Sequence, residues 1–286
     1  MKNINWIVSY PKSGNTMVRL FLCAYLFSEK GIINDLKISK AIKKFNSGDV
    51  YNKYKKFDLN YYNTNPYEIS KYFIPVQKNL FQKFKENIFF FKTHNTFSNQ
   101  NMKNFTDENI TRSAIYIIRD PRSVLLSKIH HFNFNSQKES LKFMINDTRF
   151  SLGSKISGSF PEIISSWANH YRSWYNFINS KKIGLIVKYE DLVKNPEDEF
   201  RKILNYLAPI NNFSFNEKKF QNSLRSIDFN HLKKLEIRKG FDERTGKNEI
   251  FFRKGIIDEW KTTLNSDILD LVQNKFNTEM EELNYI

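Results

Sequence analysis

A lysine, a glycine and several hydrogen-bonding side chains stand together in residues 11–16, between two apolar segments. Residues 4–8 are β-branched and aromatic, which predicts a buried strand, and the apolar spacing from Met17 onward predicts a helix packed on a sheet. The first N–H groups of such a helix are unpaired, and Gly14 lets a ligand come close to the backbone. Lys12 adds a mobile positive charge. The segment is therefore predicted to cradle a phosphate-like anion. Further side-chain donors come from Ser13, Asn15 and Thr16.

The order of the residues in this turn argues against a site for Mg-ATP or Mg-GTP. In the nucleoside triphosphate P-loop, G-x-x-x-x-G-K-[ST], the lysine follows the second glycine and the next hydroxyl holds Mg²⁺. Here the turn has one glycine, Gly14, and Lys12 precedes it by two residues. This order favours a relative that handles a nucleotide without a metal. The alternative is a plain strand-to-helix turn with a solvent-exposed lysine.

The run Tyr-Pro-Lys-Ser-Gly-Asn-Thr-Met at residues 10–17 resembles the 5′-phosphosulfate loop of sulfotransferases that use 3′-phosphoadenosine 5′-phosphosulfate (PAPS). The usual run in that family is Tyr-Pro-Lys-Ser-Gly-Thr-Thr-Trp. The resemblance implies that residues 12–16 hold the 5′ end of the nucleotide and that Lys12 neutralises the leaving phosphate oxygen. Met17 stands where a tryptophan often packs against the adenine, so stacking there is expected to be poorer.

A lysine and a histidine follow the apolar run at residues 88–91. Such a run is typical of a central parallel strand, which delivers the next side chains to the carboxyl edge of its sheet, where open α/β proteins bind ligands. Lys-Thr-His at residues 92–94 resembles the segment after the second strand of sulfotransferases that modify alcohols and phenols. The resemblance implies that His94 is the general base and that Lys92 assists Lys12. A buried structural histidine is the alternative.

Residues 113–118 are predicted to form the next strand, which leads directly into Arg119 and a helix over residues 123–132. Asp120 and Pro121 are typical of a helix start. Ser127 lies eight residues after Arg119. This pair resembles the 3′-phosphate site of the same family. A salt bridge from Arg119 to Asp120 or to a neighbouring residue of the helix is the alternative role for the arginine.

The middle of the chain is predicted to supply a helix, a strand and a residue near the adenine. The apolar and aromatic spacing over residues 161–179 predicts an amphipathic helix, followed by a strand at 183–187 and a helix at 196–207. Tyr-Glu-Asp-Leu at 189–192 resembles a family landmark and implies that Tyr189 lies near the adenine. Glu190 and Asp191 are adjacent, so a helix-entry role is preferred over an acid–base pair.

The C-terminal third carries a second predicted phosphate site. Residues 215–249 are polar with little periodicity, 225–232 is their one ordered-looking piece, and 236–250 is predicted to be a mobile surface loop. Two cations followed by a glycine, at residues 253–255, can hold a phosphate with side chains and backbone. The resemblance implies nucleotide contacts here, although Asp258 replaces the usual second glycine and a leucine replaces the usual methionine at 232. The implied contact residues are Phe229, Leu232, Phe251, Arg253, Lys254 and Gly255.

Composition limits the classes of function. The formal charge of +15 over 286 residues favours an anionic partner, but the lysines are scattered, and no basic helix, zinc spacing or aromatic RNA-binding pattern supports nucleic acid. The single cysteine, Cys23, is predicted to be a packed core thiol. The sequence shows no secretory signal and no apolar run of about 18 residues, so no membrane span and a cytoplasmic location are expected.

The remaining segments set the scaffold and the acceptor pocket. Residues 28–70 are predicted to be irregular with short helices, 76–86 helical, 133–160 a loop or short helices, and 266–283 a closing helix. The acceptor pocket is expected to draw on residues 28–75, 133–160 and 236–250, which carry no recognisable substrate code. The oligomeric state is left open.

The four motifs occur in family order between residues 4 and 284. They imply a single sulfotransferase domain over residues 1–286, with a P-loop-like three-layer α/β fold and a central parallel sheet flanked by helices. The implied reaction moves a sulfuryl group from PAPS to a small-molecule, lipid or sugar alcohol or phenol, releases 3′-phosphoadenosine 5′-phosphate (PAP) and uses no metal. A P-loop kinase and a non-catalytic nucleotide-binding relative are the alternatives.

Overall fold

The computed structural model describes residues 3–83, 89–244 and 250–286, with α-helices and strands distributed along the chain. The strands are β1 (Ile4–Ser9), β2 (Lys43–Lys44), β3 (Phe89–Thr93), β4 (Thr111–Ile118), β5 (Phe150–Ser151), β6 (Glu162–Ile163) and β7 (Gly184–Lys188). The α-helices are α1 (Asn15–Phe27), α2 (Gly48–Tyr51), α3 (Leu59–Thr64), α4 (Phe73–Lys83), α5 (Pro121–Phe132), α6 (Gln137–Met144), α7 (Trp167–Lys181), α8 (Tyr189–Lys194), α9 (Pro196–Asn211), α10 (Glu217–Ser226), α11 (Phe229–Lys239), α12 (Trp260–Thr263) and α13 (Ser266–Glu282). Short 3₁₀ helices span Leu36–Ala41 and Pro66–Tyr72.

The chain divides into two compact units. The first contains Met1–Pro11, Lys43–Ile118 and Lys142–Ile186. The second contains Lys12–Ile42, Arg119–Leu141 and Val187–Ile286. The interpretation of residues 1–286 as one domain stays a prediction.

The first unit is built on a parallel sheet with strand order β2-β3-β1-β4-β7. Strand β1 pairs in parallel with β3 and with β4, and the register aligns Val8 with Thr93 and Ser9 with Ile117. The carboxyl ends of β1, β3 and β4 therefore lie at one edge of the sheet. The predicted strands and the α/β class with a central parallel sheet flanked by helices are confirmed. Ile88, predicted to begin the second strand, lies outside the described residues.

Aromatic packing fills the core of the first unit. Trp6 is fully buried, and its ring lies 5.2 Å from that of Phe45 and 4.8 Å from that of Phe105. Its Nε1 donates to Oγ1 of Thr111 at 3.2 Å, so the indole is satisfied at its polar end as well. Trp174 of α7 donates from Nε1 to the carbonyl of Asn95 at 2.9 Å, which ties this helix to the loop after β3.

The predicted helix over residues 161–179 begins too early. The chain from Glu162 to Ile163 is strand β6, which pairs antiparallel with β5, and α7 begins at Trp167 with Ser166 as its N-cap. Two long-range hydrogen bonds hold β6 in place. The N–H of Ile163 donates to Oδ1 of Asn95 at 2.8 Å, and the N–H of Thr96 donates to the Ile163 carbonyl at 2.7 Å. These bonds outweigh the local helical pattern.

Helix α1 forms the centre of the second unit. Its Phe21 ring lies 4.2 Å from Phe200 of α9 and 5.9 Å from Phe220 of α10. Cys23 is buried in α1, and burial raises the pKa of its thiol to about 12, while the charge of Arg19 acts in the opposite direction. The prediction of a packed core thiol is confirmed.

The prediction of a mostly irregular stretch over residues 215–249 is wrong. It contains α10 and α11, which begin at the capping side chains of Asn216 and Asp228. The predicted mobile surface loop over 236–250 is wrong at its start, because α11 continues to Lys239 and Glu236 is fully buried. The Glu236 carboxylate accepts from the N–H groups of Phe251 and Phe252, at 2.7 and 2.9 Å. Residues 245–249 lie outside the described residues.

The other predicted elements are confirmed with shifted boundaries. The helix predicted at 76–86 is α4, which starts at Phe73, and residues 84–86 are not among those described. Helices α9 and α13 occupy the predicted positions, and residues 28–70 contain only short helices and one short strand. Within the described residues, no helix is both long enough and apolar enough to span a membrane.

Candidate active site

The predicted anion turn lies in the second unit and has the backbone that its glycine requires. Gly14 has a φ of 96° and caps the N-terminus of α1, and Lys12 also has a positive φ of 73°. A Cβ at Gly14 would lie 2.3 Å from Cδ2 of Tyr189, so no larger residue fits there without displacing the tyrosine. The turn therefore places the N-terminus of α1 beside an aromatic ring.

The turn and the strand-end arginine contact each other directly. Arg119 donates from a terminal guanidinium nitrogen to the carbonyl of Lys12 at 3.1 Å, and its guanidinium lies 4.4 Å from the centroid of the Tyr189 ring. Asp120 is not its partner. The Asp120 carboxylate instead caps α5 through the N–H of Arg122 and forms an ion pair with that arginine at 2.7 Å. The guanidinium of Arg119 therefore contacts the Lys12 turn and Tyr189, not Asp120.

Two buried donors in this region suit an anion. Oγ of Ser13 and Nε of Arg119 are inaccessible to solvent and have no hydrogen-bond partner among the described residues. A buried donor without an acceptor is costly, and phosphate oxygens would satisfy both groups. The donor set of the second unit therefore fits a nucleotide phosphate.

The C-terminal segment is attached to α5, the helix that carries Ser127. Oγ of Ser123 donates to the carbonyl of Ile257 at 2.7 Å, and the guanidinium of Arg122 lies 3.8 Å from the ring of Trp260. Gly255 has a φ of 69°, and a Cβ there would lie 2.6 Å from Cδ2 of Phe229. The glycine is therefore required by the same close approach to an aromatic ring that is seen in the turn.

Phe251 joins the C-terminal segment to the anion turn. Nζ of Lys12 lies 4.7 Å from the centroid of the Phe251 ring, a cation–π distance. The second unit therefore brings together the predicted residues Lys12, Gly14, Arg119, Tyr189 and Phe251 in a chain of direct contacts.

The two cations of the C-terminal motif share a carboxylate that sequence reasoning missed. Glu259 forms ion pairs with Arg253 and, at 2.5 Å, with Lys254. Burial acts to raise the pKa of Glu259, but the hydrogen bonds and charges of the two cations outweigh it and lower the pKa to about 2. Glu259 is thus ionised at neutral pH and neutralises part of the motif.

A second carboxylate contacts the start of α1. Glu243 accepts a hydrogen bond from Oγ1 of Thr16 at 2.9 Å and forms an ion pair with the buried Arg19 at 3.0 Å. No local signal could have indicated this contact, because 227 residues separate Thr16 from Glu243. Glu243 falls within the predicted mobile surface loop, which gave no reason to expect a contact with α1.

The remaining predicted nucleotide residues lie on the elements of this unit. Asn15 and Leu232 are buried, and Met17 and Ser127 are half-buried, on α1, α11 and α5. Asp258, which replaces the usual glycine, is exposed and forms an ion pair with Lys261 at 3.4 Å. Its charge is therefore partly balanced by a neighbour.

The first unit carries the predicted base. His94 follows β3, and its Nδ1 lies 2.7 Å from the carbonyl oxygen of Ser9 and 3.3 Å from Oγ of the same residue. A carbonyl oxygen only accepts, so Nδ1 carries the hydrogen, and in the neutral ring Nε2 holds the lone pair. The backbone N–H of His94 donates to Oε1 of Glu162 at 2.8 Å. Lys92 is buried within β3, two residues earlier.

A parallel sheet whose first strand leads through a glycine-containing turn into a helix is the arrangement of P-loop-like α/β folds. The model of the sulfotransferase domain family matches residues 3–284. The chain belongs to this family.

Curated relatives carry related names at low identity. The chain is 26% identical over 185 residues to the amine sulfotransferase of Oryctolagus cuniculus, covering 61% of this chain and 56% of the relative. It is 25% identical over 176 residues to cytosolic sulfotransferase 5 of Arabidopsis thaliana, covering 60% and 51%. The aligned region of this chain thus spans about half the length of the curated relatives it matches.

Solved structures share the fold. A mouse sulfotransferase complexed with PAP superposes with a TM-score of 0.63 at 17% identity, covering 98% of this chain and 85% of that one. Retinol dehydratase complexed with retinol and PAP gives a TM-score of 0.63 at 16% identity, covering 98% and 82%.

Proposed function

We propose that this chain transfers a sulfuryl group from PAPS to the hydroxyl group of a small-molecule acceptor and releases PAP. The observation that carries the proposal is the direct contact of Arg119 with the Lys12 turn, beside the ring of Tyr189, in a member of the sulfotransferase family. The PAP bound to the mouse sulfotransferase and to retinol dehydratase supports the same nucleotide here.

The second unit supplies the nucleotide contacts in this proposal. Backbone N–H groups of residues 13–16 and the ammonium group of Lys12 hold the 5′-phosphate. Arg119, Ser127 and the Arg253 motif hold the 3′-phosphate, while rings and apolar side chains enclose the adenosine. The enclosing residues are Met17, Tyr189, Phe229, Leu232 and Phe251.

The transfer needs a base for the acceptor proton and positive charge for the leaving oxygen. PAPS supplies the sulfuryl group on a phosphate leaving group. Nε2 of His94 takes the acceptor proton as the new oxygen–sulfur bond forms. Lys12, assisted by Lys92, neutralises the phosphate oxygen that keeps the electron pair when the old sulfur–oxygen bond breaks. No group of three or more metal-ligating side chains occurs in the part of the chain that the structure describes, and the proposal uses no metal.

The variant His94→Ala tests the base. We expect kcat to fall by about two to four orders of magnitude, the usual scale for a general base, while the Kd for PAP measured by calorimetry stays within about twofold. His130→Ala, which removes an exposed histidine of α5, is the control and should keep both values. Near-complete turnover by His94→Ala with a true acceptor would refute the role of His94.

We propose a small-molecule acceptor for this chain. One relative is named an amine sulfotransferase and another, from Flaveria bidentis, a flavonol 3-sulfotransferase, which supports a small-molecule acceptor. We propose an alcohol or phenol, including lipid and sugar alcohols, acted on in the cytoplasm by one domain spanning residues 1–286. Incubation of a metabolite extract with the protein and PAPS, followed by mass spectrometry, identifies species that gain one sulfuryl group. The His94→Ala protein is the matched blank.

A further inference from the structure

A second histidine, His170 of α7, lies fully buried in the first unit. Its Nε2 lies 3.2 Å from the main-chain carbonyl oxygen of His94, and its Nδ1 lies 2.8 Å from the hydroxyl of Tyr116. The ring of Tyr10 meets it edge to face, with centroids 5.6 Å apart. Both ring nitrogens thus have partners, and one partner belongs to the proposed base.

The direction of these hydrogen bonds follows from the chemistry of the groups. The carbonyl of His94 only accepts, so Nε2 of His170 carries a hydrogen. Burial lowers the pKa of His170 to about 3, against the opposing effect of its hydrogen bond to His94, so the ring is neutral at pH 7. Nδ1 therefore accepts, and the Tyr116 hydroxyl donates to it. Donation runs from Tyr116 to His170 and from His170 to His94.

Two other polar groups of His94, its backbone N–H and its Nδ1, form hydrogen bonds with residues from different segments. Its N–H donates to Glu162 at 2.8 Å, and its Nδ1 donates to the carbonyl of Ser9 at 2.7 Å. The hydrogen bond from His170 adds the carbonyl to this set. The peptide on each side of residue 94 is thereby fixed, and the direction of the imidazole depends on both.

We propose that His170, oriented by Tyr116, is a positioning residue that holds the His94 backbone so that Nδ1 of His94 stays on the Ser9 carbonyl and Nε2 keeps the lone pair. This inference rests on the proposed function, in which Nε2 of His94 takes the acceptor proton. An apolar side chain could fill the same volume in this aromatic core, but it could not donate to a carbonyl. A displacement of about 1 Å at a reacting group can cost about a hundredfold in rate.

Four variants separate positioning from packing. His170→Phe removes the donor and keeps a ring, His170→Gln offers an amide N–H near the position of Nε2, and Tyr116→Phe removes the donor to Nδ1. Ser173→Ala is the matched control. Its hydroxyl, on the same helix, bonds Thr96, the N–H of Phe97 and the backbone carbonyl of His170, so the variant loosens the same loop and leaves the side-chain hydrogen bonds of His170 in place.

The readouts are the tautomer of His94, from ¹⁵N chemical shifts of labelled histidine, and steady-state kinetics. We expect His170→Phe to show a mixture of His94 tautomers and a kcat about 10- to 100-fold lower, with the KM for PAPS within about twofold. His170→Gln should recover most of kcat, Tyr116→Phe should fall in between, and Ser173→Ala should keep the wild-type tautomer and rate.

A folded His170→Phe protein with the wild-type His94 tautomer and rate would overturn the inference. An equal loss in Ser173→Ala would also overturn it. If His170→Phe does not fold, His170→Gln and Tyr116→Phe carry the test, and a shifted tautomer in Tyr116→Phe alone supports it. If the wild-type protein transfers no sulfuryl group, the proposed function fails, and the ¹⁵N measurement still decides the role of His170.

Discussion

Gly14 is the residue of the anion turn at which a side chain is least tolerated. A Cβ there would lie 2.3 Å from the ring of Tyr189, and its φ of 96° is unfavourable for any other residue. We expect Gly14→Ala to weaken PAP binding by about tenfold or more, because relieving the clash moves the backbone N–H groups or the tyrosine. Isothermal titration calorimetry with PAP measures the change.

Gly240→Ala is the control for this substitution. Gly240 also has a positive φ, 77°, but a Cβ there would meet nothing within 4 Å. The variant therefore carries the backbone strain without the clash, and its Kd for PAP should match the wild-type value. Equal weakening in the two variants would show that a general effect of replacing a positive-φ glycine, and not the approach to Tyr189, explains the change.

The buried His170 makes the fold sensitive to acid. Its pKa falls from 6.5 to about 3 on folding because of burial, so the unfolded chain binds the proton first as the pH drops. The stability that the neutral ring contributes is present above pH 6.5 and is lost between pH 6.5 and 3, by about 1.4 kcal/mol per pH unit. Urea unfolding of wild type and His170→Gln at pH 7, 6 and 5 measures the difference. Identical pH dependence in the two proteins would contradict this account.

At the scale of elements, α5 depends on its first residues. The Asp120 carboxylate accepts from the N–H of Arg122 at 2.8 Å and forms an ion pair with the same residue at 2.7 Å. We expect Asp120→Ala to lower the free energy of unfolding by about 1–2 kcal/mol through loss of the cap, and Asp120→Asn, which keeps a capping oxygen, by less. Chemical denaturation measures both.

Asp228→Ala removes the corresponding cap of α11, where the carboxylate accepts from the N–H of His231 at 3.0 Å. Asp228→Ala should lower the free energy of unfolding by a similar amount.

The Asp120 variants also separate the cap from the ion pair. If Asp120→Asn were as destabilising as Asp120→Ala, the ion pair with Arg122 and not the cap would be the larger contribution.

The elements that could be predicted from the sequence are those whose pattern is local. Strand β4 is buried and is a continuous apolar run, so residues 113–118 could be identified. The apolar run at 183–187 could be identified in the same way, although β7 is a half-buried edge strand. Helix starts such as Asp120 carry their own signal. The start of α7 could not be predicted, because Ile163 donates to Oδ1 of Asn95 and accepts from the N–H of Thr96, and these bonds hold residues 162–163 as a strand. The polar sequence of α10 concealed a buried face formed by Phe220, Ser223 and Ser226.

In the candidate site too, residues with a local sequence signal could be predicted and those set by distant contacts could not. Residues directly after strands, such as Arg119 and His94, could be identified from chain position and resemblance. The carboxylates that contact site residues could not be identified, because Glu162, which accepts from the N–H of His94, and Glu243, which accepts from Thr16, come from distant segments. His170 left one trace, a polar residue within the buried aromatic stripe of α7, although that position alone does not reveal its contact with His94.

At the scale of the whole molecule, binding of PAP should stabilise the folded chain. Ligand at a hundred times its Kd adds about 2.7 kcal/mol to the free energy of unfolding. Because the proposed site uses no metal, the same gain is expected with EDTA present. Thermal unfolding with and without PAP, in EDTA and in Mg²⁺, measures this, and Arg119→Ala should lose most of the gain. A gain that required Mg²⁺ would contradict the proposed site.

The lone thiol of Cys23, shielded inside α1 and held protonated by a pKa of about 12, has a practical consequence. An alkylating reagent can reach it only in molecules whose α1 region has opened. Since the chain contains no other cysteine, the fraction of molecules that gain the mass of one maleimide in a brief pulse equals the fraction in which this region opened. Cys23 is therefore a native probe of local opening around α1, and no engineered label is needed.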